Sequence, residues 1–275
     1  MNILQKIADR TYERVALNKK RYPMEQIRED AMTARATDGV VNALARVYGK
    51  PKLAFPFEMA LHSDDIAFIA EVKRASPSKG IITEKFPYLQ IAKDYEAAGA
   101  AAISVLTEPF WFKGDDDYLR EIAEVVRIPI LRKDFVIDEY MIYEAKLMGA
   151  SAVLLICALL DLRMLVYYIE IAHGLGLSAL VEVHDATEID MALRAEARVI
   201  GVNNRCLKTF EVDISLSERL KKMVPPNVLF VSESGLSTPE DIQRLREISA
   251  DAALIGESFM RSEDKISALK HLRGF

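Results

Sequence analysis

The stretch 98–106, AGAAAISVL, is typical of a helix end that is followed at once by a buried strand. Gly99 is the kind of residue that ends a helix, and the apolar run after it, 102–106, has the composition of a strand. Two later stretches, MGASAVLLI at 148–156 and ISADAALIG at 248–256, have the same form. Because the pattern recurs along the chain, we predict that one architecture is repeated throughout.

Short runs rich in Val, Ile, Leu and Ala follow one another at intervals of roughly 20 to 30 residues, with charged amphipathic segments between them. The runs are 68–73, 102–106, 129–133, 152–156, 179–183, 199–203, 229–233 and 253–256. Strands that are apolar on both faces indicate a parallel sheet covered by helices. Eight such βα units over roughly 210 residues predict an α/β fold of the TIM (β/α)8 barrel type rather than an open doubly wound sheet. No GxGxxG follows the first run, which further weakens the dinucleotide-binding alternative.

The first 66 residues do not follow this rhythm. Apolar residues at 3, 4, 7 and 8, and again at 40, 41, 44 and 47, have helical spacing, and the prolines of PKLAFPF at 51–57 mark a break. We therefore predict a single TIM-barrel domain over 1–275, in which 1–66 form a helical N-terminal extension and 67–275 form the barrel. The extension either covers one end of the barrel or packs at its edge.

Composition disfavours several kinds of partner. The formal net charge is −5 over 275 residues, and the basic residues are scattered among acidic ones, so a nucleic-acid partner is not expected. Cys157 and Cys206 form no CxxC pair, and the four histidines lack metal-ligand spacing, so we expect no disulfide framework and no metal. No apolar run approaches the roughly 20 residues that span a bilayer, and the N-terminus lacks the order of a secretory signal. We expect a cytoplasmic protein without a membrane partner.

Polar residues gather where the predicted strands end, which is where TIM barrels build their active sites. Glu71 and Lys73 are two residues apart, so their side chains share one face of the first strand. The other polar strand ends are Lys133 and Asp134, Glu182, Asn203 and Arg205, and Glu233 and Ser234. An internal salt-bridge network would explain any single pair. Charges from five strands at one rim favour a functional site, because burying unpaired charge is costly.

The loops after the seventh and eighth strands predict a phosphate site. Ser234 and Gly235 follow the seventh strand, and Gly256 follows the eighth. Thr238 is the candidate N-cap of the next helix, with Pro239 at its first position and Asp241 completing a capping box. Gly-bearing loops that offer free backbone N–H groups form the usual phosphate site of a TIM barrel. We therefore expect a small-molecule phosphorylated substrate.

Seven segments carry a resemblance to a known family. They are FIAEVKRASPSKG at 68–80, ILRKDF at 130–135, LVEVHD at 180–185, GVNNR at 201–205, LKTFEVD at 207–213, VSESGL at 231–236 and IGESFM at 255–260. Together, and in this order, they resemble the indole-3-glycerol-phosphate synthases of tryptophan biosynthesis. The resemblance implies ring closure of 1-(2-carboxyphenylamino)-1-deoxyribulose 5-phosphate, with loss of carbon dioxide and water and without a cofactor.

The resemblance also implies roles for individual residues. Lys133 is the candidate general acid at the ketone oxygen, Lys73 the partner of the substrate carboxylate and a possible second acid, and Glu182 the base for dehydration. We expect the two lysines to lower each other's pKa. Glu71 completes this network. The implied substrate contacts are Ser76, Asn203, Arg205 and Glu233. The implied phosphate cradle is Ser234, Gly235, Gly256 and the backbone N–H of Glu257.

Two alternatives remain open. Lys73 or Lys133 could serve as the nucleophilic amine of a Schiff-base aldolase, or the barrel could bind a phospholigand without catalysis. We expect no catalytic role for His184, which we assign to the strand face opposite Glu182, next to a helix cap formed by Asp185 and Glu188. Cys206 has no evident base partner and is not expected to act as a nucleophile.

Overall fold

The computed structural model describes residues 3–36, 55–206 and 209–274. In this part of the chain, eight parallel strands close into a barrel, each pairing with its neighbours in chain order and the last with the first. The strands are Ala67–Val72 (β1), Ala102–Leu106 (β2), Ile130–Lys133 (β3), Ala152–Ile156 (β4), Ser178–Val183 (β5), Val199–Asn203 (β6), Leu229–Glu233 (β7) and Ala252–Ile255 (β8). The predicted TIM barrel is confirmed, and each predicted strand end lies within one residue of the observed one.

Helices cover the outside of the barrel. They are Tyr88–Ala97, Asp116–Val125, Tyr140–Leu147, Leu162–Gly174, Ala186–Arg194, Ser215–Lys221, Pro239–Glu247, Glu257–Arg261 and Lys265–Arg273, with a 3₁₀ turn at Cys157–Leu159. Several begin with an Asp or Thr whose side chain accepts a backbone N–H of the first turn, as sequence patterns of this kind predict. The capping box predicted at Thr238 and Asp241 is present, with Pro239 at the first helical position.

Three helix-to-strand junctions share one backbone conformation. Gly99 and Gly149 have φ of 83° and 88°, which is the left-handed region that glycine enters without strain. The third junction has Ser249 at the same place with φ of 54°. The recurring sequence pattern thus reflects a recurring turn, and one copy adopts it without glycine.

Alternation along β1 separates two apolar layers. Phe68, Ala70 and Val72 pack beneath the helices, whereas Ile69 lies in the interior of the barrel. Glu71 continues the interior face at the carboxyl end of the strand, where it lines a cavity. The interior face of β1 therefore contributes to the core at its middle and to the cavity at its carboxyl end.

Helices precede the first strand, as predicted for the extension. Ile3–Arg21 (α1) and Met24–Ala36 (α2) pack beside the helix Tyr140–Leu147, and a short helix, Pro56–Leu61, buries Phe57 in the interior cluster of the barrel. The predicted helical residues 40–47 and the proline at 51 lie outside the described residues. Because Ile3 also lines the cavity, the extension contributes to both ends of the barrel.

Candidate active site

A cavity of about 450 Å³ opens at the carboxyl ends of the strands. The structure brings every predicted site residue to its wall: Glu71, Lys73, Ser76, Lys133, Glu182, Asn203, Arg205, Glu233, Ser234, Gly235, Gly256 and Glu257. They come together because parallel strands of a barrel all end at the same rim. Their placement in one cavity leaves their individual roles as predictions.

Lys133 lies at the end of β3 and faces carboxylates from two other strands. Its Nζ is 3.5 Å from Glu182 Oε2 and 3.3 Å from Glu233 Oε2. Burial works to lower the pKa of Lys133, but the carboxylates of Glu233, Glu182 and Glu71 outweigh it and raise that pKa. The expected lowering of the pKa of Lys133 is therefore wrong, because the attraction of three carboxylates outweighs burial.

The two carboxylates beside Lys133 differ in their protonation. Burial opposes ionisation of Glu182, but Lys133 and His184 outweigh it and lower the pKa to about 2. Burial also opposes ionisation of Glu233, and there the attraction of Lys133 does not compensate, so the pKa rises to about 7. Glu182 is therefore the ionised member of the pair at neutral pH and Glu233 the one that can carry a proton.

Glu71, near the end of β1, and Lys73, directly after it, form an ion pair. Both line the cavity, as their spacing of two residues predicts. Burial works to raise the pKa of Glu71, but Lys73 and then Lys133 outweigh it and lower that pKa. Two lysines and three glutamates thus form one connected set of charges.

Asn203 and Arg205 continue the site along the end of β6. Asn203 Nδ2 donates to Glu182 Oε1 at 3.2 Å, and Asn203 Oδ1 accepts the backbone N–H of Arg205 at 3.0 Å. The guanidinium of Arg205 donates to the carbonyl of Phe210 and lies 3.9 Å from Glu257. Asn203 therefore links the base candidate to the loop that carries Arg205.

The loops after β7 and β8 lie side by side, as the predicted phosphate cradle requires. Ser234 and Gly235 have φ of 68° and 84°, which turns the chain sharply directly after β7. A Cβ on Gly256 would lie 2.3 Å from Glu71 Oε1 and 2.9 Å from Lys73 Nζ, so any side chain there would have to displace these two charged groups. A substitution at Gly256 would thus disturb the Glu71–Lys73 pair as well as any bound anion.

The carboxylate of Glu257 is turned toward cations. It lies 3.7 Å from Lys79 Nζ and accepts from Arg261 Nε at 3.2 Å, in addition to its approach to Arg205. These contacts draw the negative charge toward the rim. The backbone N–H at the start of the helix Glu257–Arg261 is the part of the residue that suits an anion.

His184 contradicts the expectation that it lies opposite Glu182. Its Nε2 is 3.3 Å from Glu182 Oε1, because residues 182 and 184 are two apart and so share one face. Among the described residues Nε2 has no hydrogen-bond partner, so this contact is an ion pair rather than an aligned hydrogen bond. The prediction of opposite faces is wrong, because a spacing of two residues places both side chains on the same face. The predicted cap is confirmed, since Asp185 accepts the N–H of Glu188 at 2.9 Å.

An apolar wall of the cavity was missed by the sequence analysis. Phe112, Phe135 and Phe210 line it, together with Leu4 and Ile7 of α1. The helical spacing in α1 was recognised, but spacing alone does not tell where a helix docks. Such a wall suits the aromatic part of a substrate, beside the charged groups that suit its polar part.

No group of three or more His, Cys, Asp or Glu side chains that could hold a metal ion occurs among residues 3–36, 55–206 and 209–274. In the same part of the chain, no helix is long and apolar enough to cross a membrane.

Eight βα units, a cavity at the strand ends and a connected set of lysines and glutamates define a TIM-barrel enzyme of the acid–base type. A family model for indole-3-glycerol phosphate synthase matches residues 4–272. The chain belongs to this family, whose members are carboxy-lyases of tryptophan biosynthesis. The predictions of family and activity are confirmed.

The chain is similar to relatives over nearly its full length. An indole-3-glycerol phosphate synthase of Ruminiclostridium cellulolyticum is 54% identical, and the match covers 99% of each chain. One of Lachnoclostridium phytofermentans is 45% identical, with 98% of each chain covered. A solved 3-hexulose-6-phosphate synthase has a TM-score of 0.60 and 14% identity, covering 76% of this chain and 99% of its own. At that identity the structural likeness shows the fold alone.

Proposed function

We propose that the cavity is where this chain carries out its ring closure, and that the residues around Lys133 divide the acid–base work. The observation that carries the proposal is the placement of Lys133 between Glu182 and Glu233, with the Glu71–Lys73 pair lining the same cavity. The substrate is 1-(2-carboxyphenylamino)-1-deoxyribulose 5-phosphate, whose aromatic acid, ketone and phosphate require three different surroundings.

Lys133 acts as the general acid of ring closure. The aromatic carbon that bears the carboxylate attacks the ketone carbon, and the ketone oxygen takes a proton from the ammonium and becomes a hydroxyl. The three carboxylates that raise the pKa of Lys133 keep it in the acid form at neutral pH. They also hold the positive charge at the place where negative charge develops on the oxygen.

Lys73 binds the carboxylate of the substrate and is placed by Glu71. In the closed ring this carboxylate leaves as carbon dioxide, and its bonding electrons restore the aromatic ring. Because Glu71 is buried and ionised, it fixes the ammonium of Lys73 against the cavity wall. Lys73 is also placed to donate the proton with which the hydroxyl departs as water.

Glu182 acts as the base of dehydration. Its low pKa keeps the carboxylate ionised, and its Oε2 faces Lys133 and the cavity. Loss of a proton to this oxygen, together with loss of the hydroxyl, completes the double bond of the indole. Glu233, Asn203, Arg205 and Ser76 hold the substrate between these groups.

The phosphate end of the substrate lies between the loops after β7 and β8. Ser234, Gly235, Gly256 and the backbone N–H of Glu257 supply donors there, and Arg205 adds a cation at the rim. We expect inorganic sulfate to compete with substrate, and chelator to leave turnover unchanged. Uncompetitive or absent inhibition by sulfate would argue against this cradle.

The aldolase alternative is disfavoured by charge. A Schiff base requires an unprotonated amine, and the carboxylates around Lys133 raise its pKa and keep it protonated. The deciding experiment is a spectroscopic assay of indole formation, with borohydride added in parallel in the presence of substrate. Indole formation without a trapped adduct supports the synthase mechanism. A covalent adduct, or binding without turnover, would support one of the two alternatives.

We further propose a cytoplasmic location and a single barrel domain over 1–275, with 1–66 as its extension. The short helix Pro56–Leu61 buries Phe57 in the interior cluster of the barrel, which supports treating the extension and the barrel as one domain.

A further inference from the structure

One half-buried histidine beside Glu182 has no part in the steps proposed for Lys133, Lys73 and Glu182. His184 lies directly after β5, between a carboxylate of its own strand and one of the next helix. Its Nε2 is 3.3 Å from Glu182 Oε1, and its Nδ1 is 3.1 Å from Glu188 Oε2. The ring therefore joins Glu182, which lines the cavity, to Glu188, which does not.

The helix that follows β5 holds the ring in place. Asp185 caps the helix Ala186–Arg194 by accepting the N–H of Glu188. Glu188 reaches back and accepts the backbone N–H of His184 at 2.7 Å with the same oxygen that contacts Nδ1. A helix start with both contacts is a rigid support, because it fixes the backbone and the ring of one residue together.

The two oxygens of Glu182 have different surroundings. Oε1 accepts from Asn203 and faces His184, whereas Oε2 faces Lys133 at 3.5 Å. Asn203 and His184 thus both contact Oε1, whereas Oε2 remains directed at Lys133.

We propose that His184 is a positioning residue that holds Glu182 through Oε1, so that Oε2 is the oxygen that takes the proton during dehydration. This inference rests on the role proposed for Glu182. His184 acts through the carboxylate of Glu182 and does not itself touch the substrate.

The charges around the ring are consistent with such a role. Burial works to lower the pKa of His184, but Glu182 and Glu188 outweigh it and raise that pKa to about 10. From the 3₁₀ turn after β4, Cys157 donates to the carbonyl of Glu188, and burial and the nearby carboxylates raise the pKa of its thiol, which stays protonated. Asp185 adds a third carboxylate nearby. Lys133 lies on the other side of Glu182, where it contacts Oε2. The ring is therefore an imidazolium at neutral pH and helps to keep Glu182 ionised.

Two substitutions separate the contacts of the ring. In His184→Gln the amide nitrogen can reach the place of Nε2 and keep a polar contact with Glu182 Oε1. In His184→Asn the shorter amide reaches the place of Nδ1 and Glu188, but not Glu182. We expect His184→Asn to lower the single-turnover rate of indole formation by about 10-fold to 100-fold, as misplacement of a reacting group does. We expect His184→Gln to keep more than about a third of that rate, with KM little changed in both.

The pH profile tests the charge separately. Both variants remove the imidazolium, so the pKa of Glu182 should rise and the acid limb of the rate profile should move to higher pH by about 1 unit or more. His173→Gln is the matched control, because His173 packs against Phe55 near the opposite end of the barrel and should leave the profile unchanged. An acid limb that does not move in His184→Gln would overturn the proposal, even if His184→Asn failed to fold.

Other outcomes separate this proposal from the role of Glu182. In a Glu182→Gln background, His184→Asn should change the remaining rate by less than about twofold, since it acts through that carboxylate. Equal rate losses in His184→Gln and His184→Asn would overturn positioning through Oε1. If Glu182→Gln itself retained full turnover, the base role would fail. If Glu182→Gln were inactive while His184→Asn had the wild-type rate and pH profile, only the positioning role of His184 would be overturned.

Discussion

Arg132 and Lys133 are consecutive residues of β3, and both are buried cations among carboxylates, yet their surroundings differ. The side chain of Arg132 is 1% exposed and points under the helices, whereas that of Lys133 is 14% exposed and points into the cavity. The pleat of one strand separates them. Arg132 belongs to the framework, by which we mean the charged side chains that hold strands and helices together, whereas Lys133 belongs to the cavity. The two residues therefore allow a direct comparison of a charge with a structural role and a charge in a site.

Arg132 has its donors matched. Its guanidinium donates to Asp116 at 3.0 Å, to Glu144 at 3.2 Å and to the carbonyl of Met141 at 2.8 Å, and its Nε donates to Thr107. Charges that are paired and hydrogen-bonded in this way offset the cost of burial and leave little capacity for a ligand.

Asp134 belongs to the same framework, although it lines the cavity. It accepts from Arg14 of α1 at 2.9 and 2.8 Å and from Thr107 at 2.7 Å. It thereby ties the extension to the end of β3.

Lys133 stands among carboxylates that are near but poorly aligned. Within the described residues, neither oxygen of Glu233 has a hydrogen-bond partner, although Lys133 lies 3.3 Å away. A buried carboxylate in this state is costly, and a substrate donor would relieve it. The difference from Arg132 teaches that burial and charge do not by themselves mark a site. On β3, the feature that separates the cavity cation from the cation under the helices is the incomplete hydrogen bonding of the carboxylates beside it.

The largest expected effect is on catalysis at Lys133. Lys133→Met keeps most of the side-chain volume but removes the acid, so turnover should fall by about 10²-fold to 10⁴-fold. The fold should survive, because Glu233 can take up a proton and reduce the charge left behind. Steady-state kinetics and circular dichroism of the same preparation check both parts. Turnover above roughly a tenth of wild type would remove the acid role.

Glu182→Gln should be nearly as damaging to turnover. The amide keeps the size of the side chain and a contact with Asn203, but it cannot accept a proton. We expect a loss of about 10²-fold or more in kcat with substrate affinity mildly changed. A change confined to KM would instead assign Glu182 to substrate positioning.

Arg132→Met should have the opposite signature to Lys133→Met. It leaves Asp134 and Glu144 without their shared cation in a buried place, which typically costs about 3 to 5 kcal/mol of unfolding free energy. The fraction that remains folded should turn over substrate within about tenfold of wild type. Denaturant unfolding, with activity corrected for the folded fraction, measures both. Loss of turnover at unchanged stability would break the comparison.

The sequence predicted the elements that depend on local pattern. The eight strands follow from apolar runs between helix signals, and Lys133, Glu182 and Glu233 were placed together because parallel strands end at one rim. Arg132 could not be assigned in this way, since its partners Asp116 and Glu144 come from two different helices. The prediction that the pKa of Lys133 is lowered is wrong for the same reason, because that pKa depends on distances between side chains of different strands.

The smallest expected effect is a change of stability with pH at Glu233. Its pKa is raised to about 7 in the folded protein, so between its ordinary value and 7 the folded state holds a proton that the unfolded state releases. Its contribution therefore favours folding in acid and is lost as the pH rises through 7. Glu233→Gln mimics the protonated form, and it should match wild-type stability at pH 5 but exceed it by about 1 to 3 kcal/mol at pH 8. Denaturant unfolding at the two pH values measures this.

Asp134→Asn is the matched control for Glu233→Gln on the Arg132 side of β3. Burial works to raise the pKa of Asp134, but Arg14 and Arg132 outweigh it and lower that pKa. Its stabilising contribution is thus present at both pH 5 and pH 8 and is lost only in stronger acid. The variant should be less stable than wild type by similar amounts at the two pH values. If Glu233→Gln behaved in the same way, the carboxylate beside Lys133 would belong to the framework, and the contrast between the two faces of β3 would not hold.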